Sequence, residues 1–502
     1  LIADKRITTL ADIDPTKAYL QYGLYQTGNR SSNASNADTY KSYVIPISEL
    51  LGGPATTHMQ NYLIVDSVYG NNGTAVKNND LLPYQTIDAA IAAATSFDVI
   101  IVNPGDYLTF SNVMRPGGVA GTITYYLRPG CRWTSLSPTG GSGVADVGTN
   151  FTILGKGNVT FGVRPFVVTG DYTGEIVIEC DTLRFAFGSY LFLDNTTHLS
   201  ARTTPENLTI KCRVLKLNDV VGIMYALPWQ VNITADKLES TIYGPGGPGI
   251  SEIWQTWDYQ NAAAPPIPIK TVINIGKVTK NNSAGCTFMN IVGGNSFNEN
   301  YINANVDYLP HGGSIASMFR LQAGTNSKVY YDGVTTIEDA GMVYDQSGAK
   351  PFVQLKGKVY HKDSSASLLN TPYYIQSLKL ELRNDTITDS ANNNVVILTN
   401  STTFGGEVDI VSAKIVNKGV TGIEPPLISK FGASLSKLRL RDAYLITGGQ
   451  PCIVGGQIGG EPYEMYSAFA SFAPTNMVNA LLVYDPLNNK LVVDPSMTDT
   501  NL

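Results

Sequence analysis

An all-β solenoid, a parallel β-helix, is the fold class this sequence predicts, and three observations predict it. One short apolar pattern returns ten times between residues 176 and 446. Within each copy the apolar residues fall two apart, the spacing of a strand with one face buried. The copies follow one another at intervals of 23 to 40 residues, about 29 on average, and self-similarity at such a period marks a repeat architecture.

Written by position, the pattern is apolar at 1, 3 and 8, with a small or apolar residue usually at 5. The first copy reads Ile176, Ile178, Cys180, Leu183, and the next two read Leu208, Ile210, Cys212, Leu215 and Val231, Ile233, Ala235, Leu238. Copy four is Thr271, Ile273, Ile275, Val278, and copy five is Ile302, Ala304, Val306, Leu309. Later copies start at Val329, Val353, Leu378, Val408 and Leu438, and position 8 fails at Thr336 and Asp385, which marks two irregular or misframed coils. The break in alternation between positions 5 and 8 reads as a corner between two strands. The residues are β-branched or long aliphatics, and the i, i+3, i+4 stripes of a helix are absent. One coil cannot bury its inner face alone, so its neighbours complete the core.

Composition agrees with a solenoid. A chain of 502 residues exceeds one compact core, and a solenoid grows along one axis instead. Charged residues make up 15% of the chain, against roughly 25% in an average soluble protein. The formal net charge of −6 argues against nucleic acid as a partner, which requires a basic footprint. No apolar run reaches the length of a membrane span, so no membrane insertion is expected. No apolar run follows Asp4, Lys5 and Arg6, so no secretory signal is expected there. The five cysteines match no metal spacing, and no metal or cofactor is expected. Cys180 and Cys212 share position 5 of successive copies, so they are expected to stack in the core within disulfide range, with buried free thiols favoured over a bond.

Four segments follow from the composition shifts. Residues 1–54 form a small N-terminal module that ends at the turn Leu51-Gly-Gly-Pro54. Residues 55–110 hold a short helix, with Ile87, Ala90, Ile91 and Ala94 on one face, then the strand 98–102 and the turn 104–107. An apolar solenoid end with unpaired backbone needs a cap, and this helix is placed to supply it. Residues 111–450 are the parallel β-helix. Residues 451–502 form a C-terminal module with an expected hairpin across Pro486 to Asn489.

Two stretches carry a resemblance. Pro83-Tyr84-x-Thr86-Ile87-x-Ala89-Ala90, followed by Val99-Ile-Ile-Val102-x-Pro104-Gly105-x-Tyr107, resembles the opening of pectate-lyase-like right-handed β-helices. That fold hosts lyases, hydrolases, adhesins and inert spacers, so the likeness implies a right-handed coil and leaves the chemistry open. Ile7-Thr-Thr-Leu10, Ala18-Tyr-Leu20 and Ile45-Pro-Ile-Ser-Glu-Leu50 are similar to the attachment module that opens many phage fibre and tailspike proteins. The combination resembles a tailspike or fibre of a tailed bacteriophage. It implies a homotrimer on the virion surface, assembled in the host cytoplasm. Other virion proteins would hold the N-terminal module, and host surface polysaccharide would meet the solenoid or its tip. The implied function is structural and adhesive, with a depolymerase of host capsule or lipopolysaccharide as the alternative.

Glycoside hydrolysis needs two carboxylates flanking the scissile bond. The outward position 4, read in these frames, holds Glu179, Lys211, Thr234, Asn274, Asn305, Asp332, Lys356, Glu381, Val411 and Arg441. This row is mixed in sign and has no adjacent acidic pair. Asp181, Asp236 and Asp307 at position 6 read as turn chemistry. The 40-residue interval between copies three and four reads as an inserted surface loop, where function usually sits. In it, Glu252 and Asp258 are the candidate catalytic carboxylates, and Trp254, Trp257 and Tyr259 are candidate glycan-stacking aromatics. Packing onto the solenoid or a neighbouring subunit is the competing role for these aromatics. The four histidines (His58, His198, His311, His361) are scattered and read as structural or solvated.

Overall fold

In the computed structural model the described residues are 19–22, 43–46, 61–95, 97–109, 122–135, 144–145, 151–162, 166–168, 175–186, 191–193, 206–217, 221–226, 229–242, 251–257, 269–282, 286–292, 298–310, 317–322, 327–338, 341–346, 350–362, 373–389, 397–400, 406–417, 428–431, 435–441, 443–446, 453–454, 464–466, 469–471, 482–485 and 490–493. The chain divides into two compact units, residues 1–62 and 63–502. In the first, the strands Tyr19–Tyr22 and Tyr43–Pro46 pair antiparallel. The second is a parallel β-helix, as the repeat predicts.

Its coils build one sheet of 21 strands and another of 12. Each full coil gives a long strand to the first sheet and a short one to the second. Glu175–Phe185, for example, is followed by Leu191–Leu193, and Glu206–Leu217 by Val221–Ala226. Every strand pairs parallel with its counterpart one coil away. The ladder starts before the repeat, at Tyr62–Val65, and continues through Val99–Val102, Ile123–Leu127 and Phe151–Gly155. It also runs past residue 450, where the apolar pattern fades, through Glu464–Tyr466 and Phe469–Ser471. The hairpin expected near the C-terminus is present, Leu482–Asp485 against Lys490–Val493.

Register aligns the apolar residues into columns. One runs Ile100, Tyr125, Ile153, Ile178, Ile210, Ile233, Ile273, Ile302, Tyr331, Leu355, Leu382 and Ile410, all buried. The column corrects two frames read from sequence. Ile302 and Leu382, not Ala304 and Leu380, are the partners of Ile273 and Leu355. A two-residue slip keeps the same face inward, so apolar spacing alone does not reveal it. The true frame of copy eight removes its failure at position 8, bringing Ile387 into the column of Val359, whereas copy six keeps its frame and sets a polar residue, Thr335, in that column. Thr335 is a buried polar group, and the Tyr331 hydroxyl meets it while lying 2.8 Å from the Ala304 carbonyl oxygen, to which it donates.

The corner differs from the expected break between two strands. Glu175–Phe185 is one continuous strand whose burial switches parity between Cys180 and Leu183. One-residue differences in strand length are absorbed here, with register shifts between Ile275 and Val278 and between Lys356 and Lys358. Cys180 and Cys212 are register partners and free, buried thiols. Burial pushes the Cys212 thiol up to about 12. The helix occupies Ile87–Ala93. Thr86 caps it by accepting from the Ala89 amide, and Ile87, Ala90 and Ile91 join the common core.

The corner imposes its own requirement at Gly357, whose φ is +133°. A Cβ there would lie 2.1 Å from the carbonyl oxygen of Gly333, its register partner. Gly357→Ala is therefore expected to destabilise the fold by about 2 kcal/mol or more. The exposed Lys358→Ala should stay within about 0.5 kcal/mol. Thermal melts of both variants check this.

Candidate functional site

Three of the sequence-predicted site residues lie on a strand and not on a surface loop. Ser251–Trp257, which carries Glu252, Trp254 and Trp257, is a strand of the second sheet, paired with Val221–Ala226 and Cys286–Val292. Register puts Trp254 in the row of Met289, Phe319, Val343 and Tyr373, and those four are all buried. Asp258 and Tyr259 lie outside the described residues.

A different constellation forms on the outward face of the first sheet, over seven successive strands from Ile269–Asn282 to Leu435–Arg441. Two rows, two residues apart along each strand, compose it. One row reads Lys270, Glu299, Lys328, Phe352, Lys379 and Glu407. The other reads Tyr301, Tyr330, Gln354, Glu381, Asp409 and Arg439. At about 4.8 Å per coil the strip is roughly 30 Å long.

Its first half is aromatic. Tyr301 and Tyr330 stack with centroids 4.7 Å apart at 11°, and Phe352 follows 5.6 Å from Tyr330. In-register stacking on adjacent coils makes this geometry available to any aromatic pair in one row. Lys270 lies 4.6 Å from the Tyr301 ring centre, and Lys379 lies 5.7 Å from that of Phe352, so cations close both ends. Glu299 accepts from Lys328 and from the Tyr301 hydroxyl, each at 2.9 Å. That contact pushes the Tyr301 phenol up to about 12, and Lys328 and Tyr301 hold Glu299 below its ordinary value.

The second half is ionic. Glu381 and Asp409 are register partners, and both side chains are nearly closed to solvent, at 7% and 4% exposure. Glu381 accepts from Arg383 at 2.8 Å, Lys379 at 3.0 Å and Gln354 at 3.2 Å. Burial acts to raise its carboxyl, but hydrogen bonds from Arg383, Lys379 and Gln354 outweigh it and keep the group below its ordinary value. Asp409 accepts from Arg441 Nη2 at 2.6 Å, while its Oδ1 and the Arg441 Nε, both buried atoms, have no partner.

The strand that presents Lys379, Glu381 and Arg383 is itself pinned at its start. Asp345, wholly buried, accepts from the amides of Gln376 at 2.9 Å, Ser377 at 2.6 Å and Leu378 at 3.0 Å. One carboxylate thus fixes the turn from which the charged row departs.

Sequence reasoning missed the Glu381–Asp409 pair because copy eight was framed two residues early. That frame put Glu381 in the row of Lys356 and Val411, whereas its true neighbours are Gln354 and Asp409. The failure at Asp385 was the signal, since moving the frame by two brings Ile387 to position 8.

Among the described residues no group of three His, Cys, Asp or Glu could hold a metal ion, and no helix is long and apolar enough to cross a membrane. No protein-family model, curated protein or solved structure matches the chain.

The depressed value of Glu381 has a sign. Its ion pairs stabilise the fold above the unfolded carboxylate value near 4.5, and that contribution disappears as pH falls through the lower folded value. Glu381→Gln should therefore lose about 1–2 kcal/mol at pH 7. It should also show a shallower fall in melting temperature below pH 4.5 than the parent. Melts across pH 2.5–7 in constant salt measure both effects.

Proposed function

We propose that this chain is a structural and adhesive appendage of a tailed bacteriophage, a tailspike or fibre whose solenoid binds host surface polysaccharide. The observation that carries the reading is the stacked row Tyr301, Tyr330 and Phe352, set beside charged and amide side chains on the outward face. The rings cover one another's faces, so a sugar ring would pack its apolar face along their outer edges while its hydroxyls bond to the neighbouring carboxylates, amides and cations. A straight strip along successive coils suits a linear polymer better than a small molecule. The N-terminal module, in this reading, joins other virion proteins, and three copies form the working particle on the virion surface.

A second reading, a polysaccharide depolymerase, has one specific support. Glu381 and Asp409 are outward carboxylates on adjacent coils, and side chains there can reach the separations used in glycoside hydrolysis. In such an enzyme Glu381, held anionic by its cations, would be the base or nucleophile. Asp409 would be its partner carboxylate.

Binding to immobilised bacterial surface polysaccharides tests the first reading. Tyr330→Ala should weaken binding about tenfold or more and leave the melting temperature within a few degrees of the parent. Unchanged affinity would remove the strip from the binding site. Light scattering should give three times the 54.0 kDa chain mass. Release of reducing ends from a bound polysaccharide, abolished in Asp409→Asn, would establish the second reading in place of simple adhesion.

A further inference from the structure

The geometry points to a subsite for a carboxylated sugar, formed by Arg383 and Arg441 with Lys379, so that the polysaccharide bound is an acidic one. This inference rests on the adhesive reading and narrows its ligand.

Arg383 and Arg441 occupy one row, separated by Val411, so their backbones lie two strand spacings, roughly 10 Å, apart. Each guanidinium is held from behind by a carboxylate. Arg383 directs both Nε and Nη2 to one oxygen of Glu381, each at 2.8 Å, and Arg441 directs Nη2 to Asp409. A guanidinium has five donors, so these anchors leave N–H groups for a ligand on each. The anchors also restrict the rotamers, which lowers the entropy lost on binding.

The charge that a ligand meets differs from the charge the sequence counts. The chain is −6 overall, and the ladder holds Glu381 and Asp409 beside its cations. Those two carboxylates are nearly closed to solvent, whereas Arg383 and Arg441 are each 40% exposed and Lys379 is 37% exposed. Glu407, the register partner of Lys379, is 35% exposed and pairs with Arg439, so the accessible surface is predominantly but not wholly cationic. Planar guanidinium forks match the geometry of a carboxylate.

One further feature favours a sugar acid over a simple anion. Phe352 lies in the row of Lys379, one coil away, with the Lys379 ammonium 5.7 Å from its ring centre, so an apolar ring edge stands beside the cations.

The test uses affinity electrophoresis of the full chain through a panel of acidic and neutral bacterial polysaccharides. The tightest ligand is then compared with its carboxyl-reduced form. The expected result is a uronic-acid polymer as best ligand, weakened about 30-fold or more by carboxyl reduction. The double variant R383Q/R441Q should lose a similar factor, and reduction should add little to that loss. Because removing both cations weakens the pairing of Glu381 and takes the cation from buried Asp409, R383K/R441K serves as the folded control. It keeps the charge, loses the fork, and should bind about tenfold more weakly. A neutral polymer as best ligand, or no effect of carboxyl reduction, overturns the subsite and leaves the adhesive reading standing. Failure of every polymer to bind overturns both.

Discussion

A strand in this solenoid has no way to bury its inner face by itself; the coil above and the coil below must bury it. In-register stacking is the constraint on which the core, the corners and the surface all depend. Hydrogen bonds between coils fix the register, and the register then puts like residues into columns. Inside, the columns are Ile, Leu, Val and Tyr at close to zero exposure. Outside, the same register turns single residues into rows, so two tyrosines on successive coils become a stack and two carboxylates become a pair. The columns also explain the tolerated buried polar groups. The Tyr331 hydroxyl bridges to the coil before it through Ala304, and Asp345 binds three amides of the coil after it.

Much of the first sheet was legible in the sequence, because its strands alternate and its inward residues are large and apolar. The second sheet was not. Its strands are short and buried at consecutive positions, as in Met318 and Phe319, Met342 and Val343, or Tyr373 and Tyr374. With both neighbours in the core there is no alternation to detect. Ser251–Trp257 belongs to that sheet, which is why its tryptophans read as a loop. The candidate site was lost for a different reason. Its residues were seen one by one, but a site on a solenoid is defined across coils, and a frame shifted by two residues leaves every inward residue apolar while it rearranges every outward neighbour.

The ionic half of the strip illustrates how such a surface carries buried charge. Glu381 and Asp409 stand side by side, an arrangement that would be costly for bare carboxylates. Lys379, Arg383 and Gln354 surround the first, and Arg441 meets the second. The cations keep much of their own surface in water, so the desolvation falls mainly on the acids. The result is a row whose anions position its cations.

The corner has an evolutionary consequence. One-residue differences in strand length are taken up there, between Ile275 and Val278 and between Lys356 and Lys358, while the columns on either side stay aligned. A two-residue insertion or deletion in a strand would likewise preserve the core, yet it would exchange every outward partner of that coil at once. Recognition on such a scaffold can therefore change in whole-row steps through small changes in length, without passing through an unfolded intermediate sequence.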